Sequence, residues 1–99
     1  MRETIIYRHH PPDGTEDYLI QLTLEYAEEL GQWVGVCIEL NTSAFSATLE
    51  DAREELRDAI LLQLSETEKL GFVWDYLRDN HVAVHQVAAV ATPGFSLVG

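Results

Sequence analysis

Cysteine occurs once in the 99 residues, at Cys37, and a single thiol cannot close an internal disulfide. A disulfide-stapled secreted scaffold is thereby excluded, and a reducing, cytoplasmic setting is the expectation. Cations are nearly as scarce: six Lys and Arg stand against 17 Asp and Glu, a formal net charge of −11. Such a chain repels phosphate backbones, so direct nucleic-acid binding is not expected, whereas a basic protein is the partner its field would steer in. The same acidity also serves plain solubility. No apolar run approaches the roughly 20 residues that a membrane span requires. The start, Met1-Arg2-Glu3-Thr4-Ile5-Ile6, places charges where a signal peptide would be apolar. Repeats, low-complexity tracts and linkers are absent too, so one domain over residues 1–99 is expected, with its core in 18–71 and a C-terminal strand and tail in 81–99.

What is present is apolar patterning: 46% of the residues are hydrophobic, enough for one core. Thr4-Ile5-Ile6-Tyr7 reads as an optional edge strand, and Pro11-Pro12-Asp13-Gly14 as the loop after it. Tyr18, Ile20, Leu22, Leu24 and Tyr26 alternate at period two, as do Val34, Val36, Ile38 and Leu40 after the turn Glu28-Glu29-Leu30-Gly31. The two runs predict an antiparallel hairpin. Asn41-Thr42-Ser43 turns the chain into a short third strand, Ala44-Phe45-Ser46-Ala47, with Phe45 directed inward. Thr48 and Asp51 then approximate a capping box. Behind it Leu49, Ala52, Leu56, Ala59, Ile60, Gln63, Leu64, Thr67 and Leu70 keep the spacing of one helical face, interrupted only by Gln63 and Thr67. Glu50, Asp51, Glu54, Glu55 and Asp58, with Arg53 and Arg57, fill the opposite face, and Gly71 supplies a C-terminal cap. Leu61 and Leu62 widen the apolar stripe, which hints at a subunit contact. Residues 72–80 predict a short helix and 81–90 a further strand; Pro93-Gly94 breaks it and leaves 95–99 as a tail, frayed or docked on a neighbour.

Chemistry-bearing residues are few. His9-His10 are adjacent in the expected loop, point apart and have no further ligand at metal-site spacing, so ordinary loop polarity explains them. His81 and His85 share a face but lack the other ligands a structural metal site wants, and surface histidines are the simpler reading. Cys37, mid-strand and on the side opposite Val34, Val36 and Ile38, has no base or positive neighbour to activate it and reads as a small packing residue. Glu25, Glu39 and Glu54 would have to converge to hold the ions of a metal-dependent nuclease. The strand at 81–90 adds no carboxylate, and acids so placed are also what a solvated surface looks like. Trp33, Tyr26 and Trp74 read as core or interface anchors rather than a base-stacking platform. No catalytic, metal or cofactor site is predicted.

Gly31-Gln32-Trp33-Val34-Gly35-Val36-Cys37-Ile38-Glu39-Leu40, a short strand, and then Thr48-Leu49-Glu50-Asp51-Ala52 resemble the core of the HicB family of antitoxins over roughly residues 18–71. The resemblance implies a β-β-β-α-β arrangement, a partial ribonuclease-H-like fold without its active site. It also implies a role in covering a small basic ribonuclease toxin and shielding its catalytic histidine. The chain departs from the family pattern where Asn41-Thr42 replaces a Pro-Gly and where Phe45-Ser46-Ala47 replaces the glycine before the helix. No Lys or Arg follows Arg78, so the DNA-binding segment of family members has no counterpart here, and the chain looks like a stand-alone member.

The sequence therefore predicts an α+β domain: a three-stranded antiparallel meander packed by one long helix, plus a later strand. The expected function is antitoxin-like protein binding, with a homo-oligomer built on strand edges and the helix face. The alternatives are an orphan structural or regulatory homo-oligomer and a metal-dependent nuclease. Glu28, Glu29, Trp33, Glu39, Glu54 and Glu55 are the candidate partner-binding residues, chosen by charge and expected exposure.

Overall fold

The structure, a computed structural model, describes residues 1–11, 16–89 and 94–98. Its element order is β1 (Arg2–His10), β2 (Glu16–Glu29), β3 (Gln32–Cys37), β4 (Thr42–Ser46), α1 (Leu49–Lys69), α2 (Val73–Asp79), β5 (Ala83–Ala88) and β6 (Gly94–Val98). The chain is α+β. Every strand pairing is antiparallel. The order across the sheet is β4-β3-β2-β1-β6, and β5 joins on the β3 side of β2.

The 14-residue β2 is the spine. Its C-terminal end, Leu24 to Glu29, pairs with β3, and its N-terminal end, Glu16 to Gln21, pairs with β5 along the same edge. Between them the Thr23 N–H would be orphaned, and the Glu39 carboxylate accepts it at 2.8 Å and the Thr23 hydroxyl at 3.1 Å. The hairpin turn is the tight Leu30-Gly31 pair, both at positive φ (51° and 80°), the signature of a type I′ connection.

The α1 boundaries follow their local signals. The Thr48 side chain accepts the Asp51 N–H, and at the other end Gly71 (φ 81°) closes a Schellman cap in which Phe72 N–H reaches Thr67 O and Gly71 N–H reaches Glu68 O. Ala52, Leu56, Ile60, Leu64 and Thr67 are buried along one face. The two polar interruptions have work of their own: Gln63 takes the Thr42 hydroxyl and donates to the Tyr76 hydroxyl, joining β4, α1 and α2, while Thr67 bonds back to the carbonyls of Gln63 and Leu64. One core cluster holds Ile5, Tyr7, Ile20, Leu22, Leu24 and Tyr26 of the sheet with Leu56, Ile60, Leu64, Val73 and Leu77 of the helices. Both helices therefore lie on the same face of the sheet.

Several expectations are overturned. The N-terminal segment is no optional edge but β1, hydrogen-bonded on both sides, and His9 and His10 belong to it rather than to a loop. The inward face of β3 is the one carrying Gly35 and Cys37, while Val34 and Val36 take the other side and Ile38 is exposed. Both faces of β3 are apolar, so alternation alone did not say which turns inward. Gly35 decides it: a Cβ there would lie 2.7 Å from the Tyr26 ring, and only glycine lets that ring and Leu56 close over the strand. Pairing Val34 with Phe45 then turns Phe45 outward, 64% exposed. The tail is neither frayed nor docked on a neighbour, because residues 94–98 form β6 on β1. The sheet is thus larger than three strands and a later one, while the short helix expected in 72–80 is present as α2 and packs beside α1. Pro12 to Gly14 and Pro93, expected as breakers, lie outside the described residues.

Candidate functional site

Electrostatics, rather than a cleft, marks the surface that stands out. All six cations are drawn into ion pairs: Arg2 with Glu25, Arg8 with Asp17, Arg53 and Arg57 with Glu3, Lys69 with Glu66, and Arg78 with Asp75. Glu3 is the hub between β1 and α1, bonded by Arg53 at 2.9 Å, Arg57 at 3.2 Å and the Tyr26 hydroxyl at 3.1 Å. Arg53 and Arg57, expected on the outer face of α1 among its acids, are half-exposed at the edge of that face and bond Glu3 rather than a carboxylate of α1. Glu50, Asp51, Glu54, Glu55 and Asp58 are left exposed, and none of them is in a salt bridge among the described residues. A groove between this acidic half-helix and Leu97 of β6 is lined by Glu50, Asp51, Glu54 and Asp58 and also by Arg53 and Arg57. Carboxylates beside an apolar wall suit a lysine or arginine, whose aliphatic stem covers the leucine while its head meets the acids.

The candidate partner-binding residues separate into groups. Glu54 and Glu55 belong to the acidic face of α1. Glu28 and Glu29 are exposed at the end of the β2–β3 hairpin, where Glu28 pairs with Trp33. That end adjoins the start of α1, because Trp33 pairs in turn with Ser46, two residues before the Thr48 cap. Trp33 itself is half-buried and packed on the core. Glu39 is occupied by Thr23.

A second constellation escaped sequence reasoning. Asp17, with no exposed surface, receives Nε of Arg8 and meets Nδ1 of His10, and Arg8 also donates to Ala88 O at 3.2 Å. The alternation of Arg8 and His10 on one face of a strand was the available signal; it was hidden by taking the segment for a loop. His9 faces the other way, buried between Phe95 (ring centroids 4.2 Å apart) and Trp74 (5.3 Å), with Nε2 against Glu68. These pairs tie β1 to β2, β5, β6 and both helices.

Groups set up for chemistry are scarce. Burial pushes the Cys37 thiol up, away from the thiolate a nucleophile needs. Burial likewise raises the Tyr7 and Tyr26 phenols to about 12, with the Glu3 carboxylate adding to the effect at Tyr26. Glu25 is spent on Arg2 and Glu39 on Thr23, while Glu54 stands on the outer face of α1; no group of three or more His, Cys, Asp or Glu among the described residues is placed to hold a metal ion. His85 is exposed in β5, and His81 precedes it in the left-handed region (φ 57°). No helix among the described residues is long and apolar enough to cross a membrane. Set against models of known protein families, curated proteins and solved structures, the chain finds no match.

Proposed function

We propose that this chain is a HicB-like, antitoxin-type binding domain that holds a small basic ribonuclease toxin against the acidic face of α1. One observation carries the reading: every Lys and Arg is consumed by an internal ion pair, while Glu50, Asp51, Glu54, Glu55 and Asp58 stand together on one exposed helix face. Free carboxylates on a rigid helix steer a cationic partner and lose little freedom when it docks. The run β2, β3, β4 and α1 supports the β-β-β-α part of the arrangement that the family resemblance implies, with α2 inserted before β5. A lone, buried thiol supports a reducing, cytoplasmic setting.

The test is co-purification of the tagged chain from its native cells, repeated with the charge-reversed variant Glu50→Lys/Glu54→Lys/Asp58→Lys. Support is recovery of a small basic protein that cleaves RNA alone, is silenced by the chain and is lost with the variant. Recovery of no basic partner, or of one retained equally by the variant, removes the reading.

A further inference from the structure

We propose that two copies of this chain pack face to face through the open side of the sheet, about a two-fold axis, with Phe45 of each copy seated in a hollow of the other. The side away from the helices presents Ile6 of β1, Leu19 of β2, Val34 and Val36 of β3, Phe45 of β4 and Val98 of β6, placed there by the strand registers. No described helix or strand covers it.

Shape is the first argument. Phe45 is a large apolar side chain, 64% exposed. Beside it on the same face lies a hollow lined by Met1, Ala27, Val34 and Val36, together with the paired Arg2 and Glu25 and with Tyr26 and Glu29. A knob next to a hole on one surface is self-complementary under a two-fold, since each copy offers what the other lacks.

Charge is the second. On a molecule of net charge −11 this face keeps its cations where its acids are: Arg2 neutralises Glu25, and Arg8 neutralises Asp17. Glu39 is hydrogen-bonded to Thr23, and Glu29, at the hairpin end of β2, lines the hollow. Meeting through α1 would instead oppose two sets of five acids. The open face is where two copies approach against the least repulsion.

Area is the third. The 14 residues of β2 at about 3.4 Å each run roughly 48 Å, which matches the 47 Å long dimension of the molecule. The strands β1 to β6, at about 3.4 Å per residue and about 4.8 Å across, give the sheet a footprint on the order of 700 Å², within the range of roughly 600–1,000 Å² per partner of a standard stable interface. The inference does not rest on the toxin reading, because the acidic face of α1 lies on the far side and stays free.

Sedimentation equilibrium of the full chain, from micromolar to near-millimolar concentration, tests it. The expected mass is twice 11.2 kDa. Phe45→Glu and, separately, Ala27→Arg, which fills the hollow, are expected to weaken the dimer about a hundredfold with unchanged circular dichroism. Leu62→Glu, an exposed leucine of α1, should leave the mass alone. A chain that stays at 11.2 kDa throughout overturns the proposal and leaves the face to a different protein. So does a dimer that survives both open-face variants or that Leu62→Glu breaks.

Discussion

The two faces of this sheet solve the same problem in different ways. On the helix side, Ile5, Tyr7, Ile20, Leu22, Leu24 and Tyr26 are buried under α1 and α2, and the one carboxylate admitted, Glu3, is held by two arginines and a phenol. On the open side, apolar residues are only partly covered and the charges come as neighbouring pairs, Arg2 with Glu25 and Arg8 with Asp17. The comparison teaches that alternation makes both faces of a strand, but a face becomes a core only where something of the right shape closes over it.

The contrast is most severely stressed by base. Tyr7 and Tyr26 both sit on the covered face, and burial holds their neutral form, raising each pKa from 10.0 to about 12. Because the folded value exceeds the unfolded one, their contribution to stability is complete below pH 10 and is lost as pH rises through about 12. Ultraviolet titration should show these phenols ionising together with unfolding; their ionisation in a chain that keeps its circular dichroism would mean the covered face is wet.

Adjacent residues of β2 measure the same difference. Ile20, fully buried, should lose about 3 kcal/mol on Ile20→Ala, whereas Leu19 on the open side should lose roughly 1 kcal/mol on Leu19→Ala, both by urea denaturation at a fixed protein concentration. Equal losses would erase the distinction between the faces. Gly35→Ala drives a methyl to 2.7 Å from the Tyr26 ring, costing about 2 kcal/mol. Adding Tyr26→Leu should recover part of that loss, since the smaller side chain leaves room.

Ion pairs sharpen the comparison at lower energy. Glu3→Gln strands Arg53 and Arg57 in a half-buried site and should cost about 1.5 kcal/mol. Arg2→Ala removes an exposed pair on the open face and should cost under about 0.5 kcal/mol in thermal melts. The smallest effect is a gain: Leu30, fully exposed at φ 51°, occupies a turn position that asparagine adopts with less strain, so Leu30→Asn should stabilise the hairpin by roughly 0.5 kcal/mol. A loss there would show that the Leu30 side chain has a contact of its own.

How far the fold was legible follows the range of the forces involved. The β2–β3 hairpin, the α1 start at Thr48, its stop at Gly71 and the short α2 all answer to residues within a few positions of one another, and all are where the sequence put them. The acidic face of α1 was equally legible, because helical spacing gathers Glu50, Glu54 and Asp58 without help from elsewhere. The bonding of Arg53 and Arg57 to Glu3 was not, since Glu3 lies some 50 residues away.

By itself, then, the sequence determined the class of the fold, the identity and caps of its helices and the excess of negative charge, all properties of composition and short-range geometry. Tertiary structure alone decided that β1 lies inside the sheet and that β6 closes on it. It also decided that Gly35 and Cys37 rather than Val34 and Val36 face the core, and that Arg8, His10 and Asp17 meet. Period two marks two faces without ranking them, and the ranking comes from strand register and from which ring, here that of Tyr26, needs the space beside it.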